Sequence, residues 1–372
     1  MARSIALVIS LVLLVACDTT NTATEPVAAV ESPPNVILLM ADDMGWAQTG
    51  YYGHPIMKTP NLDAMAANGL RMDRFYAGAP SCTPTRASVM TGRTNDRTGA
   101  FRVGEAINKQ EKMLSTAFRD AGYATAHFGK WHLNYSGVGL EHPLEADDPH
   151  NPGELGFDYW LSHTSGFDFF ESSGGKFELS RMGEREEFYG DGSEVIVDEA
   201  LQYITEQVEN GKPVFVVIWY STPHGPWKAT DDDIAPFLDV VDRTSANMHG
   251  EIVAMDRSIG ALRQGLKTLD IAENTLVWFT SDNGGSANID TGVSYPNGPN
   301  AAPVIEYPSD CSDPEAKAQC ESALAHYKKA KKEHEERCCL NLWQPLVAHD
   351  CQLLCLLLGN SCQALPHPIK QG

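Results

Sequence analysis

Four short apolar runs, each giving way to a polar cluster, organise this chain. Asn35-Val36-Ile37-Leu38-Leu39-Met40 is unbroken and of strand length, as expected for a parallel strand covered on both faces, and it leads into Ala41-Asp42-Asp43-Met44-Gly45. Tyr123 to His127 is a weaker second run, followed by Phe128-Gly129-Lys130-Trp131-His132. Val214 to Trp219 is the third, ending in Tyr220-Ser221-Thr222-Pro223-His224, and Thr275 to Thr280 is the fourth, ending in Ser281-Asp282-Asn283-Gly284-Gly285. Amphipathic segments lie between them: Leu62 to Asn68 before Gly69, Met113 to Asp120 before Gly122, Glu194 to Glu209 before Gly211, and Ala246 to Leu269. Strands alternating with helices predict an α/β fold built on a mainly parallel sheet. In such sheets ligands bind beyond the carboxyl ends of the strands, which is where all four polar clusters fall.

At 372 residues and 42% hydrophobic, the chain is long enough for one large α/β domain or two smaller ones. Its formal net charge of −21 argues against nucleic acid as a partner and means that an anionic substrate needs a local positive pocket. Met1-Ala2-Arg3-Ser4 and the apolar run Ile5 to Ala16 have the form of a secretory signal, too short to span a bilayer. Leu14-Val15-Ala16-Cys17 resembles the bacterial lipobox, whose processing leaves Cys17 carrying lipid; a plain signal peptide ending near a cysteine is the alternative. Residues 17–34, rich in Thr, Ala, Glu and Pro, read as a flexible tether. The expectation is an exported bacterial protein, periplasmic or at the cell surface, with a signal over 1–16, a main domain over 35–300 and an atypical Cys-rich tail over 301–372.

Candidate chemistry concentrates at Ser81-Cys82-Thr83-Pro84-Thr85-Arg86, with Thr91-Gly92-Arg93 a few residues on. Pro84 suits the first turn of a helix whose body is Arg86 to Thr91, Gly92 suits its left-handed stop, and Cys82 sits at the positive end of the dipole, where an anion is welcome. A buried or low-pKa cysteine at a helix start has the same outline. The arrangement of Cys82, Pro84 and Arg86 resembles the C-x-P-x-R signature of the type I sulfatases. That resemblance runs from about Asn35 to about Gly285 and takes in Lys58-Thr59-Pro60-Asn61-Leu62-Asp63 as well as the four strand-end clusters. It implies an alkaline-phosphatase-like fold, a large mixed sheet between helices, followed by a smaller C-terminal domain. Similarity to arylsulfatases and N-acetylgalactosamine-6-sulfatases in the N-terminal half implies an aryl sulfate or a sulfated carbohydrate as substrate.

The resemblance further implies that a formylglycine-generating enzyme oxidises Cys82, that the hydrated aldehyde attacks sulfur and displaces the alcohol, and that its second hydroxyl then expels sulfate. By motif, Arg86 would steady the formylglycine, Lys130 would hold sulfate oxygens, His132 would take the hydroxyl proton and His224 would protonate the leaving oxygen. Asp42, Asp43, Asp282, Asn283 and the group made from Cys82 would hold Ca²⁺, with Mg²⁺ the second choice. The residues themselves argue for a hard cation: at ~4 Å each carboxylate pair repels by about 4 kcal/mol at an effective dielectric near 20, and oxygen donors suit such an ion. Consecutive strand residues point to opposite faces, so Asp42 and Asp43 share an ion only if the chain has left the strand, and Gly45 is expected to help supply that bend. Each cluster also has a plain reading. The carboxylates suit turn caps, Asp282-Asn283-Gly284 a loop, Lys130 and His132 a loop cap beside Trp131, His224 a turn between Pro223 and Pro226, and Arg86 an ordinary helix surface. Arg93 suits a carboxylate partner as well as a substrate, and His163, Asp168 and Arg102 are pocket-lining residues that no motif assigns.

The resemblance does not carry past about Gly285. The family's second sulfate-binding lysine and its small domain are not visible, so that domain reads as missing or aberrant. Asp290 to Pro303 is loop-like, Glu315 to Glu336 reads as a charged helix, and seven of the nine cysteines lie from Cys311 to Cys362. Cys338-Cys339, Cys351 and Cys355 lack the histidine spacing of a zinc site and suit disulfides in an oxidising compartment. Two rivals to a sulfate-ester hydrolase therefore stand: a catalytically silent relative that binds sulfated glycans, and a phosphoesterase of the same superfamily, against which Cys82 with Pro84 and Arg86 weighs. The aromatic, Gly-rich stretch Trp160 to Gly175 reads either as a sugar contact or as a packed surface loop.

Overall fold

The computed structural model describes residues 32–135, 144–166 and 176–285. The expected signal, the Cys17 anchor, nearly all of the tether, Asp168, the Cys-rich tail and the question of the small domain lie outside the described residues. Among the described residues no helix is long and apolar enough to cross a membrane.

In chain order the elements are β1 (Asn35–Ala41), α1 (Pro60–Asn68), α2 (Cys82–Thr91), α3 (Leu114–Asp120), β2 (Ala124–Lys130), β3 (Tyr159–His163), β4 (Lys176–Arg181), β5 (Glu184–Tyr189), α4 (Gly192–Glu209), β6 (Val214–Trp219), the short α5 (Asp231–Ile234), α6 (Arg243–Thr268) and β7 (Thr275–Ser281). The strands form one sheet in the order β5-β4-β3-β2-β6-β1-β7. From β3 to β7 all neighbours are parallel, while β3-β4 and β4-β5 are antiparallel. The sheet is therefore mixed and mainly parallel, as expected.

Burial on both faces follows from the unbroken apolar runs. Ile37, Leu39 and Ala41 of β1 and Val214, Val216 and Ile218 of β6 point into one core with α1, α4 and α6. Met40, Phe215, Val217 and Trp219 point into a second core with residues of α2. Fully burying one such side chain is worth about 1.5–3 kcal/mol, so two-sided burial secures the central strands. Helix starts are set by caps. The Asp191 carboxylate accepts from the N–H groups of Ser193 and Glu194, and that of Asp242 from Thr244 and Ser245, so α4 and α6 begin two and three residues before their apolar patterns do. α2 begins at Cys82, four residues before the expected helical body, and ends at Gly92 with φ 64, as read from the sequence.

Three strands escaped the apolar reading. β3 occupies the start of the Trp160 to Gly175 stretch, and Trp160 is buried, so that part is core and not a sugar contact. β4 and β5 form a hairpin of charged, half-exposed residues closed by Met182 and Gly183, both at positive φ (54 and 100), a turn whose twist matches the strands.

β2 runs three residues past its apolar core, so Lys130 is the last strand residue instead of following it. Gly129 has φ 94, and a Cβ there would lie 2.0 Å from the Trp219 carbonyl oxygen. Left-handed backbone and lack of space act together, so Gly129→Ala is expected to cost about 3 kcal/mol or more, read as a lowered urea midpoint. An unchanged midpoint would contradict this close approach of β2 to β6.

Candidate active site

Backbone hydrogen bonds align the ends of three strands. Asp42 N–H donates to the Thr222 carbonyl (3.0 Å) and Asp282 N–H to the Ala41 carbonyl (3.0 Å), tying the exits of β1, β6 and β7 at one level. The bend after β1 is made at Asp43, with φ 60, in the left-handed region that Asp tolerates better than most residues, and not at Gly45. It is held by Asp43 N–H to Asp282 Oδ1 (3.1 Å), Met44 N–H to Ser281 Oγ (3.1 Å) and Gly45 N–H to Gln48 Oε1 (2.6 Å). As a result one oxygen each from Asp42, Asp43 and Asp282, together with Cys82 Sγ, lie within 4.8 Å of one another. The Asn283 amide nitrogen donates to Asp43 Oδ1, while Asn283 Oδ1 is buried without a partner.

Helix α2 presents Cys82 and, one turn later on the same side, Arg86. The Cys82 thiol donates to Asp42 Oδ1 (3.4 Å). Arg86 is fully buried: Nη2 reaches Asp282 Oδ2 (3.0 Å) and Asp42 Oδ1 (3.4 Å), Nη1 donates to the Lys130 carbonyl (3.1 Å), and the guanidinium lies 5.0 Å from the Trp219 ring centre. Lys130 Nζ donates to Asp42 Oδ2. Burial works against the Asp42 carboxylate, yet Lys130 and Arg86 outweigh it and hold Asp42 well below the usual carboxylate range. Asp282 moves the other way: burial, then the neighbouring Asp42 charge, push it up to about 7. The opposed shifts express one fact, that two cations do not neutralise three acids. Burial, followed by the Asp42 charge, also pushes the Cys82 thiol upward, so the thiol is protonated at neutral pH and is a poor nucleophile.

Two histidines complete the rim. His132 is buried at φ 55, its N–H donates to the Thr164 carbonyl (2.8 Å), and burial, then Lys130 and Arg86, hold its pKa well below normal, so the ring is neutral. His224 is part-exposed, and its Nδ1 lies 2.6 Å from the Gly225 carbonyl oxygen, which only accepts. Nδ1 therefore carries the proton of the neutral ring, and Nε2, 3.7 Å from Asp43 Oδ2, is the nitrogen free to exchange one.

All nine residues singled out in the sequence thus converge on one rim: Asp42, Asp43, Cys82, Arg86, Lys130, His132, His224, Asp282 and Asn283. Others do not. Arg93 pairs with Glu111 (2.7 Å), and Arg102 is exposed. His163 is buried opposite Lys130 in the β2-β3 register, with Nδ1 accepting from Ser165 N–H (3.2 Å). The sequence reading assigned no role to Trp219, which lies against Arg86, or to Ser281 and Gln48, which hold the acidic loop; Trp219 and Ser281 end their strands, whereas nothing local marked Gln48. The donor set fits a divalent cation, because three crowded carboxylates lack charge balance and the orphaned Asn283 oxygen lacks a positive partner.

The family model described as Sulfatase matches residues 34–323. N-acetylgalactosamine-6-sulfatase of Canis lupus familiaris is 33% identical over 303 residues, 73% of this chain and 53% of that protein. The Ulvan-active sulfatase of Formosa agariphila is 30% identical over 301 residues, 76% of this chain and 56% of that protein. The crystal structure of Ps i-CgsB in complex with k-i-k-neocarrahexaose superposes with a TM-score of 0.60 at 27% identity, covering 70% of this chain and 63% of that one. The chain spans about half the length of the curated relatives it matches.

Proposed function

The chain belongs to the sulfatase family, and we propose on that premise that it hydrolyses sulfate esters through a formylglycine made from Cys82. The observation that carries this is the meeting of Cys82 Sγ with three carboxylates inside 4.8 Å, in contact with Arg86 and Lys130. The upward-shifted thiol argues against thiolate attack by Cys82 itself. Once formed, the hydrated aldehyde supplies a hydroxyl nucleophile and a second hydroxyl able to expel sulfate. A hard cation, Ca²⁺ by donor chemistry with Mg²⁺ second, would be held by Asp42, Asp43, Asp282 and Asn283 and would supply charge stabilisation for sulfate oxygens.

The chain's own groups have separable tasks. Arg86 fixes Asp42 and Asp282 from below and keeps the start of α2 against them. Lys130, whose Nζ lies on Asp42 at the same rim, is the cation placed to hold a sulfate oxygen. His132, kept neutral by burial and the two cations beside it, can accept the nucleophile's proton. His224, with Nδ1 fixed on Gly225, offers Nε2 to the leaving oxygen. Relatives named N-acetylgalactosamine-6-sulfatase and Ulvan-active sulfatase support a sulfated carbohydrate as substrate. The N-terminal motif supports export with a lipid anchor at Cys17, and Cys82 would require a formylglycine-generating enzyme as its maturation partner.

Co-expression with that enzyme, followed by side-by-side assays of an aryl sulfate and an aryl phosphate and by mass analysis of the Cys82 peptide, tests the proposal. Converted Cys82 with sulfate turnover is the expected result. Turnover of phosphate alone identifies a phosphoesterase, and tight glycan binding with unmodified Cys82 identifies a silent binder.

Cation binding carries its own pH signature. Asp282 has a folded pKa raised above its ordinary 3.8 to about 7, so its contribution to stability is complete below about pH 4 and is lost as pH rises through 7. Asp42, shifted downward, keeps its contribution across that window. The cation-free protein should therefore weaken by a few kcal/mol between pH 5 and 8, and added Ca²⁺ should raise Tm more at pH 8 than at pH 5. An equal Ca²⁺ effect at both pH values would count against a cation seated on Asp282.

A further inference from the structure

We propose that Trp46, backed by Tyr52 and Arg71, forms a glycan platform beside the acidic centre, taking the sugar that flanks the sulfated residue in a polyanionic saccharide. The proposal rests on the sulfatase reading and extends it to a contact outside the reacting centre. Trp46 is 41% exposed. It lies three residues after Asp43, so chain reach places it within about 11 Å of that carboxylate's backbone. The preceding Gly45 lies against Gly285, whose Cβ would sit 3.1 Å from Gly45 N, so residue 46 follows directly on the point where the loops after β1 and β7 touch.

The cluster behind the indole is ordered. Tyr52 and Trp46 meet in a T-shaped pair (4.7 Å, 87°), a contact that engages at most one face of the indole. Arg71 lies 5.2 Å from the Tyr52 ring centre, with Nε on Asp73 Oδ1 (2.7 Å) and Nη1 on the Tyr51 carbonyl (3.4 Å), and Tyr52 OH donates to Asp73 (3.2 Å). Among the described residues Nη2 of Arg71 makes no contact of this kind, so a half-exposed guanidinium and an exposed indole share Tyr52 as a common neighbour. A pyranose ring offers an apolar C–H face to a flat aromatic side chain, and its sulfate or carboxylate suits a guanidinium fork. Arg71 is paired with Asp73, so what the cluster offers a polyanion is the uncommitted Nη2 edge of that pair and not a net positive charge.

The plainer account is a surface cluster that only steadies the turn at 50–52. That turn already has its own supports, Gly50 N–H to Thr59 Oγ1 (2.8 Å) and Gly53 N–H to the Gly50 carbonyl (2.8 Å), and steadying it does not call for an exposed indole.

The test compares substrates with and without a flanking sugar. Trp46→Ala and Arg71→Gln are assayed on an aryl sulfate and on tetrasaccharides of chondroitin 6-sulfate, ulvan and carrageenan, with Trp46→Tyr as the conservative control. Expected are kcat/KM on the aryl sulfate within twofold of the parent, and, on the tetrasaccharide best used by the parent, KM raised 10- to 100-fold by Trp46→Ala and about fivefold by Arg71→Gln. Trp46→Tyr should restore most of the loss. Calorimetric binding of the same tetrasaccharides, measured with Cys82→Ala in place so that nothing turns over, separates the platform from the hydrolase reading. Trp46-dependent binding without any turnover in the parent keeps the platform and refutes the hydrolase. Binding that ignores Trp46, no tetrasaccharide binding at all, or equal loss on aryl sulfate and tetrasaccharide overturns the platform.

Discussion

Cys82→Ala is expected to lower kcat/KM for an aryl sulfate by at least ~10⁴-fold, about 5.4 kcal/mol of transition-state stabilisation, while leaving the fold intact. The two halves of this expectation come from different observations. Loss of activity follows because Cys82 is the only cysteine among the described residues and the one side chain at the centre that oxidation turns into a hydroxyl nucleophile. Retention of the fold follows because its thiol makes one weak contact, to Asp42 at 3.4 Å, and the carboxylate keeps Lys130 and Arg86. Steady-state kinetics and thermal melting on the same preparation are the check. Turnover surviving in Cys82→Ala would remove the covalent mechanism, whereas a collapse in Tm would make the kinetic loss uninformative about chemistry.

Arg86→Ala should produce the largest stability effect at the site, about 3–5 kcal/mol in the absence of divalent cation. Removing the guanidinium strands two fully buried carboxylates, Asp42 and Asp282, and leaves the Lys130 carbonyl and the Trp219 face without their partner. Lys130 still reaches Asp42, so Asp282 bears most of the loss. Ca²⁺ should recover part of the stability, because a cation seated among the carboxylates supplies the missing charge, and Arg86→Lys should fall between parent and alanine because it keeps charge without the two-armed geometry. Denaturant midpoints with chelator and with Ca²⁺ measure all three. If Arg86→Ala matched the parent in chelator, the buried charge account of the site would be wrong.

Much of this was legible in the chain. The runs of β1, β2 and β6 are strands because parallel strands covered on both faces need no polar alternation, the run of β7 forms a half-exposed edge strand, and each was found close to its observed bounds. The C-x-P-x-R turn was legible because Pro84 and Gly92 act locally on the backbone, and the cap of α2 by Gly92 came out as read. What stayed hidden was local structure held by distant partners. The β4-β5 hairpin carries Glu and Arg at half its positions, so its strands look like solvated chain until they pair. Lys130 had a motif-based role toward sulfate, yet its partner in the structure is Asp42, a contact across 88 positions that no local pattern encodes.

By itself the sequence determined which apolar segments are strands, where a helix must start and stop around Cys82, and which polar residues stand at strand ends. These depend on side-chain polarity, backbone preference and spacing, all of which act over a few residues. Only the tertiary structure decided that β1 lies between β6 and β7, which brings Asp42 and Asp43 beside residues about 240 positions away, and that the bend joining the acids falls at Asp43. The hydrophobic period states that a strand is covered, not which strand covers it. Charge balance among Asp42, Asp282, Arg86 and Lys130 exists only once that order has placed them within hydrogen-bond reach.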